Sequence, residues 1–430
     1  MHALRQLLSS NSLLALLCCV FLLVGCAPEN TPTSMNTGSS QPAQIVSANW
    51  ERIPLPGPLL AHMVASSDPS TLYICTGSAA APGPIVLWKK SRDEGQWRRI
   101  NLSGATGTGC SFASTATQSA QIAVMITNTI EKQRACDQNM LFLSSDDGAS
   151  WERVPHTSIA PMGKGADFCQ IAATEGHLYW WCSYSLSEHS PQVSILERSD
   201  DHRTWTRADS ALGQEAFFSP PQVIDGGKNL VTIVTHLSSL SESSRSILWV
   251  SHGAGNSWQP QAALPEQVGT FLLAAPAQEP SQVTPLYVLA HEQLPSHLYQ
   301  TQIYQSENES EWAQLPALPV PGRSSERSGL LQVLTVTSDG RLLAFGADPQ
   351  TGITKPALQQ PVASFRLWIW NPHLASWQVL SSPLRYTANE GCGLCWSASI
   401  ASSSSSGAYL YAHYWDDGNS LFRIHVPDAS

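Results

Sequence analysis

The chain has 430 residues, of which 13% are charged, and its 33 acidic side chains against 23 basic ones give a net charge of −10. That balance argues against a nucleic-acid binder and against electrostatic adsorption to anionic membranes, since both need a basic surface. Serine, threonine, glycine and proline abound, a composition of strands and turns rather than helices.

The N-terminus comes first. Met1 to Gln6 carries Arg5 and no acid, and Leu13 to Gly25 is an unbroken apolar run ending at Cys26. Thirteen apolar residues suit a signal-peptide core and fall short of the ~20 needed to span a bilayer. The ending Leu23-Val24-Gly25-Cys26 resembles the bacterial lipobox, in which the cysteine is acylated and becomes the new N-terminus. The resemblance implies removal of residues 1–25 and a lipid on Cys26, which anchors the protein to the membrane on its extracellular or periplasmic side. Removing 1–25 leaves 22 basic and 33 acidic side chains, a net charge of −11. Residues 26–45, rich in Pro, Ser, Thr and Asn, read as a flexible linker. Residues 46–430 exceed the size of one ordinary core, so they form two domains or a repeat array.

Repetition decides between these. The segment Ser144 to Trp151, "SSDDGASW", has a counterpart in "SRDEGQW" (Ser91 to Trp97) and in "SDDHRTW" (Ser199 to Trp205). Fainter copies are "SHGAGNSW" (Ser251 to Trp258), with Gly253 in place of the aspartate, "SENESEW" (Ser306 to Trp312) and "NPHLASW" (Asn371 to Trp377). The tryptophans of these segments, with Trp50, fall at 50, 97, 151, 205, 258, 312 and 377, and each opens a short strand. The gaps are 47, 54, 54, 53, 54 and 65 residues, a recurrence that marks an array. The acids of a repeated turn are a structural device rather than catalytic or calcium-binding carboxylates.

On these residues the chain resembles the Asp-box, or BNR-repeat, β-propellers, a group that includes sialidases, sortilin-like receptors, photosystem-assembly propellers and xyloglucan hydrolases. The family frame Ser-x-Asp-x-Gly-x-Thr-Trp is met most fully by Ser144, Asp146, Gly148, Ser150 and Trp151. Ser91, Asp93, Gly95 and Trp97 follow it in the first copy, and Ser199, Asp201 and Trp205 in the third. The resemblance implies that each box is the hairpin between the third and fourth strands of a blade, facing away from the active site. A short carboxylate accepts turn N–H groups there, a glycine takes positive φ, and the tryptophan buries between strands.

Between boxes three apolar strands recur, as in "DFCQIAAT", "HLYWWCSY" and "VSILER" before Trp205. The expected fold is therefore all-β, a seven-bladed β-propeller with four-stranded blades. Its last segment has only three strands, and the orphan strand at 50–55 supplies the fourth and closes the ring.

Of the cysteines beyond Cys26, Cys169 and Cys182 flank a tight turn at Glu175-Gly176. A two-residue loop there sets them opposite each other as a non-hydrogen-bonded pair, close enough for a disulfide. Cys392 and Cys395 have CxxC spacing without a second ligand pair, so no metal site follows.

Ligands of propellers enter at the axial mouth, on the loops entering each blade and those joining its second and third strands. The candidates there are Arg323 and Arg327 before blade 6, Arg385, Tyr386 and Glu390 entering blade 7, and His413, Trp415 and Asp416 within it. Sialidases clamp a carboxylate with three arginines, the first in a Phe/Tyr-Arg-Ile-Pro motif. The matching stretch here, Pro54 to Val64, has no arginine. The reading is a non-catalytic platform for a glycan, peptide or protein partner, with no catalytic residue assigned and no cofactor. A sialidase-like glycoside hydrolase and an assembly-factor propeller are the alternatives.

Overall fold

The computed structural model describes residues 45–46, 48–64, 70–79, 81–91, 94–114, 121–127, 139–156, 168–174, 176–185, 192–213, 217–224, 229–236, 245–264, 272–274, 285–293, 299–307, 311–319, 331–337, 340–347, 363–372, 374–386, 396–403, 407–414 and 420–426. They form an all-β, seven-bladed propeller of four-stranded blades arranged in a ring. Blade 1 runs Leu59–Val64, Thr71–Thr76, Val86–Ser91 and Arg98–Ile100, and blade 2 runs Gly109–Ser114, Ile122–Thr127, Met140–Ser144 and Glu152–Val154. Blade 3 is Phe168–Thr174, His177–Ser185, Gln192–Ser199 and Thr206–Arg207. Blade 5 is Leu272–Ala274, Leu286–Gln293, Tyr299–Ser306 and Ala313–Gln314.

The ring closes as the sequence predicts. Trp50–Ile53 pairs antiparallel with Ser420–Val426, Trp50 opposite Ile424 and Ile53 opposite Leu421, and so completes blade 7 after Trp396–Ser403 and Gly407–Tyr414. Across this pair Arg423 donates to the Glu51 carboxylate and Arg52 to the Ser420 hydroxyl.

Two blades depart from four plain strands. Blade 6, Leu331–Val336, Leu342–Ala347, Ala363–Asn371 and Ser376–Tyr386, gains a fifth strand. Ile45–Val46 lies parallel to its outer strand, Ile45 opposite Val379, so residues assigned to the end of the linker and the start of the propeller belong to a sheet. In blade 4 the first strand is split into Phe217–Phe218 and Gln222–Ile224, both paired with Asn229–His236. Pro220 and Pro221 lie between the two pieces and have no N–H to give the ladder. Arg245–His252 and Gln259–Ala263 finish that blade.

Alternation along each strand sends successive side chains to opposite seams. In Leu286–Gln293, Tyr287 and Leu289 pack toward blade 6 while Leu286 and Val288 pack toward blade 4. The core is therefore a set of apolar layers between neighbouring blades rather than one centre.

Backbone hydrogen bonds hold each blade together, and side chains tie one blade to the next. The tryptophan that opens a blade's fourth strand donates its indole N–H to a carbonyl of the preceding blade. Trp97 bonds Pro54 O at 2.7 Å, Trp205 bonds Pro155 O at 3.0 Å and Trp258 bonds Ala208 O at 2.6 Å. Trp377 bonds Pro316 O and Trp50 bonds Ser381 O, both at 2.8 Å. The acceptor lies three or four residues after the preceding blade's own tryptophan. One tie therefore spans one repeat, which is why the tryptophans keep their spacing.

Removing one such donor strands a buried acceptor, a loss of about 1–3 kcal/mol. Trp258, 6% exposed, is the best buried of the five donors. We expect Trp258→Phe to lower unfolding stability by that amount, measured as a shift in the urea midpoint at unchanged slope.

Candidate functional site

The acidic turns are the most elaborate polar structures among the described residues. In the turn after Met140–Ser144, the Ser144 hydroxyl donates to Asp146 Oδ1 at 2.8 Å and accepts the Gly148 N–H at 2.7 Å. Asp146 accepts the Ser150 N–H at 2.8 Å and the Ser150 hydroxyl at 2.6 Å. Asp147 and Gly148 take left-handed backbone angles, φ 55° and 74°, which glycine tolerates best. Tyr73 stands against the Gly148 Cα, where a Cβ would collide with it. In the blade 3 turn Asp201 accepts the N–H groups of Arg203 and Thr204 at 2.8 and 2.7 Å and the Thr204 hydroxyl at 2.8 Å.

These bonds set the carboxylates' acidity. The Ser150 hydroxyl and N–H hold Asp146 down at about 2, and the Thr204 and Arg203 N–H groups hold Asp201 well below the usual carboxylate range. Both groups are committed acceptors, anionic at any physiological pH, and neither can serve as a proton donor. The turn of blade 4 makes the same point by omission. It has Gly253 in place of the aspartate, yet Ser251 accepts the Gly255 N–H at 2.8 Å and Ala254 and Gly255 take φ 57° and 81°. In blade 1, Ser91 N–H donates to Glu94 at 3.3 Å and Trp97 is tied as above, while Asp93 lies outside the described residues.

The carbonyls that these left-handed residues expose are used by the neighbouring blade. Lys89, in the third strand of blade 1, donates to Asp147 O at 2.7 Å, and Tyr73 donates to the same oxygen at 2.9 Å. Arg198, in the third strand of blade 3, donates to Ala254 O at 2.8 Å and to Asn256 Oδ1 at 2.6 Å. These cations were not singled out in the sequence. Their signal is present there, a basic residue seven or eight positions before the tryptophan.

Two further polar clusters sit in seams. Between blades 2 and 3, His156 Nε2 lies 2.6 Å from Glu197 Oε2, both side chains buried. The imidazole is stacked on Trp180 at 3.8 Å and meets the edge of Trp205 at 4.9 Å. Beside it, buried Asp209 receives a two-pronged bond from Arg207 at 2.6 and 2.7 Å and the Leu196 N–H at 3.1 Å. Between blades 7 and 1, His413 packs edge-on against His62, ring centroids 6.1 Å apart, and His62 Nε2 lies 3.3 Å from Tyr411 O. Burial pulls His62 down to about 4, against the opposing pull of the Tyr411 carbonyl. Burial, reinforced by His62, pulls His413 down to about 3.

The predicted mouth residues fare unevenly. His413 is fully buried in the second strand of blade 7, so its place is in the wall between blades rather than on an open surface. Arg385 and Tyr386 lie at the end of the long outer strand of blade 6, opposite Ser364 and Ala363. Arg323, Arg327, Glu390, Trp415 and Asp416 lie outside the described residues, as do Cys26, Cys392 and Cys395. Cys169 and Cys182 are opposite in register, with Thr174 facing His177, and are joined by a disulfide with Cα atoms 4.2 Å apart. A second disulfide, Cys75 to Cys110, joins blade 1 to blade 2 across a Cα separation of 6.7 Å. Sequence spacing alone did not point to it, because its partners sit in different repeats.

No protein-family model matches the chain, and no curated protein matches it in sequence. Solved structures do. An oligogalacturonate lyase in complex with manganese is 11% identical, with TM-score 0.53, over 90% of this chain and 98% of the lyase. A polysaccharide lyase of the ulvan lyase family is also 11% identical, with TM-score 0.50, over 90% of this chain and 96% of its own. The Trypanosoma rangeli sialidase is similar at 11% identity and TM-score 0.43, over 83% of this chain and 59% of that one. The likeness to the two lyases shows the ring architecture alone and leaves the chemistry to this chain's own residues.

The histidine pair makes stability depend on acid. Each imidazole has a folded pKa below its ordinary 6.5, so the unfolded chain takes up protons first. Stability is full above about pH 6.5 and falls as pH drops toward 4. We expect the urea midpoint to decline through that window, and His62→Leu to make the decline about half as steep, because one of two protons no longer differs between states.

Proposed function

We propose that the mature chain is an acylated cell-envelope protein whose propeller, of the Asp-box type, is a platform that binds a glycan, peptide or protein partner without catalysing a reaction. The observation that carries this reading is how the charged side chains are used. Asp146 and Asp201 close turns, and Lys89 and Arg198 hold the carbonyls of neighbouring turns. Asp209 and Arg207 brace a seam, as do His156 and Glu197. Among the described residues, groups of the kind that elsewhere serve as paired carboxylates are committed to the scaffold. Support for the Asp-box assignment comes from the shared Ser-Gly bond and left-handed pair in the blade 2 and blade 4 turns. The case for export and acylation rests on the apolar run ending at Cys26.

The partner is received at the mouth, where the loops entering the blades gather, and Arg323, Arg327, Arg385, Tyr386, Glu390, Trp415 and Asp416 are the residues assigned to it. The competing reading is a sialidase-like glycosidase, which needs the three arginines to converge on one carboxylate.

Two experiments test these statements. In the full-length protein expressed in a bacterial host, Cys26→Ser is expected to move the chain from the membrane fraction to the soluble fraction. Retention of the variant on the membrane would contradict acylation. Residues 45–430, offered a fluorogenic sialoside and a panel of aryl glycosides, are expected to show no turnover and to bind on a glycan or peptide array. Turnover that disappears on Arg385→Ala would establish the glycosidase instead.

A further inference from the structure

Five of the seven opening tryptophans tie their blade to the one before it, and the two exceptions have different causes. Trp151 of blade 2 turns its indole N–H onto its own turn, to Gly148 O at 3.3 Å. That seam is made good by Lys89 and Tyr73 on Asp147 O and by the Cys75–Cys110 disulfide. Trp312 of blade 5 is the other exception. Its indole nitrogen is buried and has no hydrogen-bond acceptor among the described residues.

The preceding blade explains why. Elsewhere the acceptor is the carbonyl three or four residues after that blade's tryptophan, which in blade 4 means Gln261 or Ala262. Those residues fall inside a β-bulge. Ile247 pairs with Ala263 and Trp249 pairs with Pro260, so the outer strand has one residue more than its partner in this interval. A bulge kinks the strand and redirects its carbonyls, and Pro260 has no N–H with which to hold the regular ladder. Blade 6 also has an irregular outer strand, but the irregularity starts beyond Ser381, which pairs regularly with Arg366 and receives Trp50. Among the described residues, what joins blades 4 and 5 is the apolar layer of Ile224, Val231, Ile233, Leu248, Val250, Leu264, Leu286 and Val288, with Trp312 packed against it.

We propose that the seam between blades 4 and 5 is the ring's built-in opening, the place where neighbouring blades part under native conditions while every other seam stays latched. Seam 1/2 is covalently closed and three blades away, so it acts as the hinge, and the ring opens as two arcs, blades 2–4 and blades 5–7 with blade 1. Opening at 4/5 exposes an apolar layer and an indole donor to water without breaking any indole tie. Parting at the seams before blades 1, 3, 4, 6 or 7 would break one.

The proposal is tested on the full chain by native-state thiol labelling, read by peptide mass spectrometry so that the natural cysteines do not interfere. Val288, Val234 and Val379 are all 0% exposed, and they face seams 4/5, 3/4 and 5/6 respectively. Each is replaced singly by cysteine, a change of nearly equal volume. Val288→Cys is expected to react at least about tenfold faster than the other two, a ratio that corresponds to a cost of opening lower by ~1.4 kcal/mol. Equal rates, or a faster reaction at either of the other sites, would overturn the proposal.

A second pair of variants gives an independent readout. Trp312→Phe removes a donor with no acceptor, so the unfolding constant should change less than about twofold. Trp258→Phe should raise it at least about fivefold and bring the labelling of Val234→Cys up toward that of Val288→Cys. Equal costs for the two tryptophans would show that Trp312 is tied after all and would sink the argument.

Discussion

The structure depends on a hydrogen bond from an indole to a carbonyl one repeat away. A propeller blade satisfies its backbone internally, so nothing in the sheets themselves binds one blade to the next. Apolar layers supply most of the attraction between blades, but they are non-directional and tolerate sliding. The indole tie adds direction. It fixes the rotation and height of each blade against its neighbour, because a donor at the start of one fourth strand must meet a carbonyl at the end of the previous one. Three of the five acceptors are prolines, Pro54, Pro155 and Pro316. A proline ends the short outer strand because it offers the ladder no N–H, and its carbonyl is then free to take the indole. Strand termination and blade docking are encoded in one residue.

The same economy governs the charged groups. A chain with 13% charged residues has few to spare, and Asp146, Asp201, Lys89, Arg198, Arg207 and Asp209 are committed to turns and seams. Asp146 is fixed as a carboxylate by three bonds, from the Ser144 hydroxyl and from the Ser150 hydroxyl and N–H. Blade 4 forms the turn with Gly253 and Ala254 in place of the two aspartates. The aspartate is therefore a reinforcement of the turn rather than its cause. The serine hydroxyl on the glycine N–H and the left-handed pair are common to both turns. Once the acids are understood this way, the turn residues carry no information about any ligand.

Much of the fold could be read from the sequence because its period is written in tryptophan, the residue least replaceable in the tie. Blade number, strand number and closure by Trp50–Ile53 all follow from that spacing and from the three-strand deficit at the C-terminus. The Cys169–Cys182 register followed from a two-residue turn, Gly176 at φ 79°. Features that cross repeats were illegible. The Cys75–Cys110 bond, the His62–His413 pair and the Arg198–Ala254 contact each join residues whose proximity is a product of blade packing, not of local pattern. Ile45–Val46 was hidden for another reason. Two apolar residues after a polar linker are too short to show alternation, and their partner strand lies more than three hundred residues on. Of the residues assigned to a mouth, His413 was placed there by chain position, whereas its burial places it in a wall between blades.

Ring closure sets the order in which the parts become stable. The bonds from Arg423 to Glu51 and from Trp50 to Ser381 span 372 and 331 residues, far more than any blade-to-blade tie within the chain. Contacts of such separation form late, because the loop entropy must be met before they return anything. Blades 1 to 6 can each complete their own four strands first, while blade 7 remains one strand short until the N-terminal segment arrives. That segment then engages two blades at once, Ile45–Val46 on the edge of blade 6 and Trp50–Ile53 on the edge of blade 7, with the Trp50 indole bridging them. Covering blade 6 and completing blade 7 removes two exposed strand edges in one step.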